Sequence, residues 1–498
     1  MNNKEIVERI TWIEAHSKVL DIKYGGILFW PYLRQLISLQ LFKKTANNIV
    51  RRKSIKFSSL VSLFRALRSI YFSDRVHNLE NIFKSDALIL IHTSSRQEKL
   101  NDKFYCRTSD AIIDFFEDKL SLSTWEYSLQ NNYPQPRYRS TEYIDVPLFI
   151  YMALGACVGL IRQVINPKLT KPIHMLNKAM QVNNMATKLP IVATICKIYS
   201  ILYLAKYFEK RLARIEPRIV FIPEFYNAIS MALSLACYRR NIVSVEYQHG
   251  AQNDYHRMYT HWGVVPEKGY ELIPKYFWSW GSASAERIRR WASKSSYHKV
   301  IIGGNLWMLK TKTGFENNDL VNHEHQLYYP AGKKHILITL QKWPDHFNFE
   351  LVSIIKHSPP NWCWHIRQHP LHKFPAEEMK KYFEDTQLKN VEIEYSTKAS
   401  LYSLLKSVVI HLTGFSTVAF EAQSFNVPTI FFHGNALHGF SGLIDNREFY
   451  YADNEHEIMD CLHKLLSGKM RIPSSSGEYI IISEKVASDA LTTIIGIR

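Results

Sequence analysis

The sequence predicts an α/β protein in which two Rossmann-like domains face a cleft, preceded by a helical, basic N-terminal segment. Short apolar runs alternate with helical patterns from about residue 81 onward, which is typical of parallel βαβ units. The chain has 498 residues, more than one ordinary hydrophobic core accommodates. Polar residues follow several of the predicted strands, and in open α/β sheets the ligand binds at the carboxyl ends of the strands.

Four segments are predicted along the chain. Residues 1–80 are expected to be helical and basic, 81–270 to form an N-terminal Rossmann-like domain with a helical insertion, and 271–470 to form a C-terminal one. Residues 471–498 form a last segment, with packing back on the N-terminal domain as one option. No long Gly-, Ser- or Pro-rich linker separates the two series of strands, so the hinge is placed near residues 262–275.

The composition bounds the class of protein. Hydrophobic residues make up 46% and aromatic residues 13% of the chain, which excludes a disordered or fibrous protein. The formal net charge of +17 indicates anionic partners such as nucleotides, nucleic acid or lipid headgroups. The cysteines are far apart and form no CxxC pair, which favours reduced thiols in a cytosolic protein and argues against a zinc site. No signal peptide is recognisable.

The N-terminal half contains three apolar runs that are predicted to be strands, at residues 87–91, 218–222 and 241–247. A polar loop follows the first strand, and a long, mostly helical region extends from there to about residue 213. A helix is predicted over 227–238. The C-terminal half continues the alternation, and its predicted strands are 276–280, 299–302, 335–340, 362–366, 391–395, 408–412 and 429–432.

Two segments raise the question of a membrane. The run 146–161 is uncharged but shorter than the roughly 20 apolar residues that a spanning helix needs. A buried helix is the favoured interpretation, and an interfacial segment is the alternative. Residues 51–72 pair an apolar helical face with six basic residues, a pattern that suits either a membrane interface or a helix packed on its own domain.

A first loop of the C-terminal half offers cations to an anion. Arg367, His369 and Pro370 follow the predicted strand 362–366. Proline restricts the residue before it to extended conformations, so we expect His369 and Arg367, two residues apart, to share one face. A structural turn is the alternative.

A second loop, after the predicted strand 408–412, contains Gly414, Ser416 and Thr417 and opens a helix. One of the two hydroxyls could simply cap that helix, yet a helix N-terminus also attracts an anion. Glu421, about one turn into the helix, is a candidate for hydrogen bonding to ribose hydroxyls. The two loops together predict a nucleotide phosphate site.

The order of these motifs resembles the GT-B sugar-nucleotide glycosyltransferases. A His-Pro after one C-terminal strand and a Ser-Thr pair after a later one are similar to the sialyltransferase-like and Kdo-transferase-like enzymes of capsule and lipopolysaccharide assembly. The resemblance implies that His369, Pro370, Ser416 and Thr417 hold the nucleotide and phosphate of a CMP-activated acidic sugar, such as Kdo or a nonulosonic acid. Teichoic-acid-type polymerases have a similar pair of loops, so a nucleoside-diphosphate donor is the alternative.

Acidic and histidine residues at strand ends of the N-terminal half are candidates for the chemistry. The paired-acid-then-Gly motif of sialyltransferases is absent from this half. Glu224, His249 and Asp254 are instead the predicted catalytic acids or bases, since a carboxylate or imidazole in the cleft can deprotonate an acceptor hydroxyl. Inversion and retention of configuration both stay open.

Three further residues complete the predicted cleft. His92, Arg96 and Gln248 are expected to contact substrate, with Arg96 as the partner of a donor or acceptor carboxylate. Gln248-His249-Gly250 also resembles a motif of Kdo-type surface-polysaccharide transferases.

The prediction is therefore a metal-independent GT-B glycosyltransferase that requires no cofactor and acts at the inner face of the cytoplasmic membrane. Its expected partners are a nucleotide-sugar donor, a glycan or glycolipid acceptor and an anionic membrane surface. The sequence contains no GxGxxG after a strand and no P-loop. It also has no recognisable nucleic-acid-binding module, which makes a nucleic-acid-binding protein the weaker alternative, beside a non-catalytic scaffold of polysaccharide assembly.

Overall fold

The structure is a computed structural model. It describes residues 3–47, 84–100, 102–128, 134–185, 187–250, 252, 254–314, 329, 331–341, 349–369, 390–472 and 477–496. The basic segment 51–72 and Pro370 lie outside these residues.

The strands of the described residues are β1 Lys23–Tyr24, β2 Ile27–Leu28, β3 Ala87–His92, β4 Arg96–Leu100, β5 Lys103–Cys106, β6 Leu122–Tyr127, β7 Glu142–Tyr143, β8 Ile219–Ile222, β9 Val243–Tyr247, β10 Tyr276–Ser279, β11 Lys299–Ile302, β12 Lys334–Thr339, β13 Trp362–Arg367, β14 Val391–Glu392, β15 Ile410–Thr413, β16 Thr429–Phe431 and β17 Tyr450–Tyr451.

The α-helices of the same residues are α1 Asn3–His16, α2 Trp30–Asn47, α3 Ser109–Phe116, α4 Asp145–Ile165, α5 Lys171–Val182, α6 Ile191–Ile215, α7 Ala228–Arg239, α8 Ser282–Ala292, α9 Leu306–Gly314, α10 Phe349–His357, α11 Glu394–Lys398, α12 Leu401–Ser407, α13 Val418–Ser424, α14 Asn435–Gly439, α15 Ser441–Asp445, α16 Glu455–Leu466 and α17 Glu484–Ile495.

Two parallel sheets form the framework, as the alternation of strands and helices predicts. The N-terminal sheet has the strand order β11-β10-β9-β8-β3-β6-β7 and the C-terminal sheet the order β14-β13-β12-β15-β16-β17. All neighbouring strands within each are parallel. The central strands are continuous apolar runs that are buried along their length, which is typical of sheets covered by helices on both faces.

Strands β10 and β11 lie in the N-terminal sheet, which corrects their assignment to the C-terminal domain. Tyr276 pairs with Val245 of β9 on one side and with Lys299 of β11 on the other. The break between the sheets therefore falls after β11 rather than near residues 262–275. The reason is physical: a parallel strand can extend either sheet at its edge, and the order of elements along the chain does not say which.

The C-terminal segment returns to the N-terminal sheet. The Ile481 N–H donates to the Trp280 carbonyl oxygen at 2.8 Å, and the Ile481 carbonyl oxygen accepts from the Asn305 N–H at 2.9 Å. Further along, Arg218 donates from Nη2 to the Ile495 carbonyl oxygen at 3.2 Å. Residues 477–496 therefore pack back on the N-terminal half, while Tyr479 packs near Phe420 of the C-terminal half with ring centroids 4.7 Å apart.

The first two helices belong to the N-terminal core rather than to a separate basic segment. Ile6 and Ile10 of α1 and Leu33 of α2 are buried in the same hydrophobic cluster as β3 and β8. Glu14 and Arg34, both fully buried, form an ion pair of 2.5 Å between the two helices. An uncompensated charge there would be costly, so the pair specifies how α1 and α2 dock.

Helix α4 contains the apolar run 146–161 and is not the buried helix that was favoured. Its buried residues are confined to one stripe, formed by Leu148, Gly155, Gly159 and Gln163. Both α4 and α6 are long and apolar enough to cross a membrane, with 22% and 56% of their most apolar windows buried. The apolar side chains that predict a core helix are instead partly exposed on the outer side of α4.

Candidate active site

The carboxyl ends of the parallel strands of both sheets face one cleft with a volume of about 560 Å³. Loops after β3, β8, β9, β10 and β11 form one wall, and loops after β12, β13 and β15 form the other. This is the position that parallel α/β sheets provide for a ligand. The predicted residues that line the cleft are His92, Glu224, His249, Arg367, His369, Ser416, Thr417 and Glu421.

Arg367 is fixed at the C-terminal wall by backbone carbonyls. Its Nη1 donates to the carbonyl oxygens of Ser396, at 2.8 Å, and Ala399. Burial lowers the pKa of the guanidinium, which nevertheless stays charged at neutral pH because an arginine pKa starts so high. His369 lines the cleft two residues further along. A fixed cation and a histidine are therefore side by side, as the spacing predicts.

Ser416 and Thr417 differ in whether the side chain caps helix α13. The Ser416 hydroxyl accepts a hydrogen bond from the Val418 N–H at 3.3 Å, at the start of the short helix α13. Thr417 precedes the helix without a side-chain capping bond. The capping interpretation therefore applies to Ser416, while both hydroxyls line the cleft.

Glu421 is buried beneath the same wall. The Tyr402 hydroxyl donates to its Oε1 at 2.6 Å. Burial raises the pKa of this carboxyl, although the positive charge of Arg107 opposes the shift. A ligand that contacts Glu421 would therefore meet a carboxyl already oriented by a tyrosine.

Arg107 is a cleft residue that sequence reasoning missed. It lies on the opposite wall, with Nε 3.8 Å from Glu98 Oε1. Burial lowers the pKa of its guanidinium, but Tyr402 and Glu421 raise it to above its ordinary value. Arg107 follows a strand of the antiparallel pair β4–β5, so the rule that ligands bind at parallel strand ends does not find it.

His249 has a defined pattern of ring contacts. Nδ1 lies 3.1 Å from the Pro223 carbonyl oxygen, which can only accept, so Nδ1 carries the proton in the neutral ring. Nε2 then accepts from the Tyr226 hydroxyl at 3.2 Å. Burial lowers the pKa of His249, although Glu224 opposes this. The ring is thus neutral at neutral pH and has its basic nitrogen on the Tyr226 side.

Glu224 influences the pKa of two histidines of the cleft. It lines the cleft directly after Pro223, and its negative charge acts to raise the pKa of both His92 and His249. Burial is the larger influence on His92 and lowers its pKa. The N-terminal wall therefore combines a carboxylate with two imidazoles.

A second carboxyl, Glu246, was not predicted because it lies within β9 rather than after it. It is buried, its Oε1 accepts from the Tyr259 hydroxyl, and its carboxylate is 3.9 Å from His249 Nδ1. Burial raises its pKa well above the ordinary value. Glu246 is thus a buried neighbour of His249 that does not itself line the cleft.

Two of the residues predicted to contact substrate brace the fold instead. Arg96 is buried and pairs with Asp110 at 2.7 Å and Glu126 at 3.1 Å. Gln248 is also buried, and its Oε1 accepts from the Trp280 N–H at 2.8 Å. Gln248 directly follows β9, as predicted, whereas Arg96 begins β4 rather than ending a polar loop. In neither case does the local sequence determine whether the side chain points into the cleft or into the core.

Two other predicted residues lie away from the cleft lining. Asp254 has a side chain that is 56% exposed and pairs with Arg287 at 2.6 Å, which corrects its assignment as a catalytic candidate. Gly414, which belongs to the second loop, is buried and does not line the cleft. No group of three or more His, Cys, Asp or Glu residues among the described residues is arranged to hold a metal ion.

Comparisons with known proteins found similar solved structures but no related family or curated protein. No protein-family model matches the chain, and no curated protein matches it significantly. Solved structures that resemble it include the UDP-GlcNAc 2-epimerase of Methanocaldococcus jannaschii, with 14% identity, a TM-score of 0.49 and coverage of 82% of this chain and 99% of that one. The lipopolysaccharide outer core galactosyltransferase WaaB has 10% identity, a TM-score of 0.43 and coverage of 82% and 99%.

The wall teichoic acid polymerase TagF is a further similar structure, with 12% identity, a TM-score of 0.46 and coverage of 92% and 98%. At these identities and TM-scores the likenesses do not identify an activity. The architecture itself is that of the GT-B class, because two parallel α/β sheets direct their strand ends into one shared cleft.

Proposed function

We propose that this protein is a glycosyltransferase, which moves a sugar from a nucleotide-activated donor to a hydroxyl of a glycan or glycolipid acceptor. The observation that supports this most is the division of the cleft. One wall presents Arg367, His369 and two hydroxyls, and the other presents Glu224 and His249. A phosphate-binding wall that faces a wall with proton acceptors is what such a transfer requires.

The leaving group is a phosphate whose negative charge grows as the glycosidic bond breaks. Arg367 is held in place before any ligand arrives, so it can meet that charge without reorganisation. Arg107 faces the same cleft from the other wall. These groups supply positive charge from the chain's own residues.

The acceptor hydroxyl must lose a proton, and two residues are suited to take it. His249 is neutral with its basic Nε2 facing the Tyr226 hydroxyl, and Glu224 is a carboxylate at the cleft wall. One of them acts as general base in an inverting reaction, and Glu224 could act as nucleophile in a retaining one.

For the donor we favour a CMP-linked acidic sugar such as Kdo or a nonulosonic acid, used in capsule or lipopolysaccharide synthesis. The support is the resemblance carried by His369, Ser416 and Thr417. The cleft also has two arginines on opposite walls, Arg107 and Arg367, so that one could meet the phosphate and the other the carboxylate of an acidic sugar. A nucleoside-diphosphate sugar is the second candidate. We further propose that the protein acts in the cytoplasm, at the inner face of the cytoplasmic membrane.

Nucleotide-dependent melting temperature tests the donor class, with CMP, UDP, GDP and ADP compared at equal concentrations. CMP should raise the melting temperature most, and a larger rise with UDP would replace the favoured donor by a nucleoside-diphosphate sugar. Hydrolysis of the matching sugar nucleotide, followed by mass spectrometry, then separates an enzyme from a non-catalytic scaffold. Absence of a shift with every nucleotide would contradict the proposal.

A further inference from the structure

The outer surface of the helical insertion is apolar to an unusual degree. Nine large hydrophobic side chains of α4, α5 and the start of α6 are 44–77% exposed: Ile150, Leu154, Leu160, Ile161, Val164, Ile165, Met175, Val182 and Val192. We call these residues the insertion face. Single exposed hydrophobic residues are common, but six of these nine lie on one side of α4, opposite its buried stripe, and such a group marks a contact surface. None of them lines the cleft.

The packing of α4 explains why these side chains point outward. A Cβ at Gly155 would lie 2.5 Å from the Tyr199 carbonyl oxygen, and one at Gly159 would lie 2.9 Å from Cys196 Cα. The helix therefore contacts α6 through glycines, backbone against backbone. Helix α4 thus has small residues on its inner side and large apolar residues on its outer side. This arrangement is the reverse of an ordinary surface helix and is similar to that of helices surrounded by lipid.

The charge of the same region indicates which surface covers it. Residues 146–208 contain no Asp or Glu, although the whole chain contains 45. The basic residues in this range are Arg162, Lys168, Lys171, Lys178, Lys188, Lys197 and Lys206. Two copies of this chain would bring like charges together, which disfavours a dimer through this face. An anionic surface is complementary to it.

We propose that the insertion face docks on an anionic phospholipid bilayer, with α4 lying in the interface rather than crossing it. One side of α4 is already in contact with α6, which is itself more than half buried in its most apolar window, so α4 is not free to enter the bilayer alone. Apolar side chains would enter the boundary of the acyl chains, and lysines around them would contact phosphates. This goes beyond the sugar transfer proposed above and does not depend on it.

Vesicle flotation of the full chain tests the surface. Phosphatidylcholine vesicles with and without phosphatidylglycerol are compared, without nucleotide. The variant Ile161→Gln, Val164→Gln, Ile165→Gln should bind anionic vesicles ~10-fold more weakly or worse, since three apolar side chains that would enter the bilayer are replaced by polar ones. The matched control, Val409→Gln, Leu437→Gln, Ile472→Gln, changes residues that are 41–50% exposed elsewhere and should bind as the parent does.

A second variant examines the charges. Replacing Arg162, Lys168, Lys171 and Lys178 by Gln should remove the preference for phosphatidylglycerol and the sensitivity to salt. Melting temperature confirms that each variant is folded. If no nucleotide binds the parent, that result contradicts only the proposed sugar transfer, since the vesicle assay contains no nucleotide.

Three results would overturn the proposal. The parent could fail to bind either kind of vesicle, or the apolar variant could bind as well as the parent. In particular, binding that survives the apolar variant but is lost when the six basic residues of 51–72 become Gln would assign the membrane contact to that segment. Light scattering that finds a dimer in the parent and a monomer in the apolar variant, without vesicle binding, would assign the face to a second copy.

Discussion

The Nδ1 atom of His249 lies 3.1 Å from the carbonyl oxygen of Pro223. A carbonyl can only accept a hydrogen bond, so this contact places a proton on Nδ1, and burial, which lowers the pKa of His249, favours the neutral ring. The other nitrogen, Nε2, is then a base, and it already accepts from the Tyr226 hydroxyl. The backbone after β8 therefore fixes the tautomer of a residue after β9, and this is the tautomer that the proposed general base would need.

We expect His369→Ala to reduce sugar transfer by about 10–150-fold while leaving the melting temperature nearly unchanged. His369 is partly exposed on a loop and contributes little packing. Loss of a hydrogen bond to a charged phosphate would reduce the stabilisation of the transition state by about 1.5–3 kcal/mol. His438→Ala, which changes an exposed histidine outside the cleft, is the control. Transfer at the parent rate by His369→Ala would remove the phosphate role of this residue.

Ser416→Ala and Thr417→Val should differ in a way that separates capping from phosphate binding. Ser416 accepts from the Val418 N–H, so its loss should reduce both nucleotide affinity and stability, the latter by about 0.5–2 kcal/mol. Thr417 makes no capping bond, so its variant should reduce affinity alone. Calorimetry with nucleotide and thermal unfolding measure the two effects. Unchanged affinity in both variants would leave the loop with only a structural role.

Stability should fall with acid before the carboxylates are protonated. Burial lowers the pKa of His298 to about 4; its Nδ1 donates to the Pro274 carbonyl oxygen at 2.9 Å, and its Nε2 accepts from the Tyr270 N–H at 2.9 Å. The folded-state pKa is thus below the unfolded value of about 6.5. The unfolded chain takes up the proton first, so the stabilisation is complete above pH 6.5 and is lost as pH falls towards 4.

The loss from His298 alone is on the order of 3 kcal/mol across that range. The variant His298→Gln, whose amide can both donate and accept, should reduce the slope of unfolding free energy against pH, measured by urea denaturation between pH 4 and 7. The control His456→Gln changes an exposed histidine and should keep the slope of the parent. An equal slope in all three proteins would mean that His298 is not buried in the neutral form.

Much of the fold could be predicted, because parallel strands that are buried on both faces are continuous apolar runs, and β3 and β8 stand out as such. Sheet membership could not, because β10 and β11 have the same local pattern whichever edge they extend. His369 and its neighbours could be placed at the cleft because they follow parallel strands, while their role in phosphate binding stays a prediction.

The opposite wall was found only in part. Arg107 reaches the cleft from an antiparallel pair, so it does not obey the rule of strand ends. Arg96 begins β4, a few residues after the end of β3, and its side chain turns inward because Asp110 and Glu126 are there to neutralise it. Side-chain direction depends on partners that are distant in the sequence, and a pattern of local residues does not contain them.

The catalytic proton acceptor should be found among Glu224 and His249. Glu224→Gln and His249→Asn keep the approximate size of each side chain but remove its basic group, so nucleotide affinity should stay within about twofold of the parent, while transfer should fall by about 10²–10⁴-fold if the residue is the general base. Asp254→Asn is the matched control, because Asp254 is exposed and pairs with Arg287 outside the cleft, and it should transfer sugar at close to the parent rate.

The pH dependence of kcat/KM distinguishes the two candidates. If His249 is the base, the acid limb of the parent lies below the ordinary histidine pKa of about 6.5, because burial lowers the pKa of this ring. The limb should then disappear from the residual activity of His249→Asn and persist in Glu224→Gln. The reverse pattern would assign the proton transfer to Glu224, and parent-like transfer by both variants would show that the base lies elsewhere in the cleft.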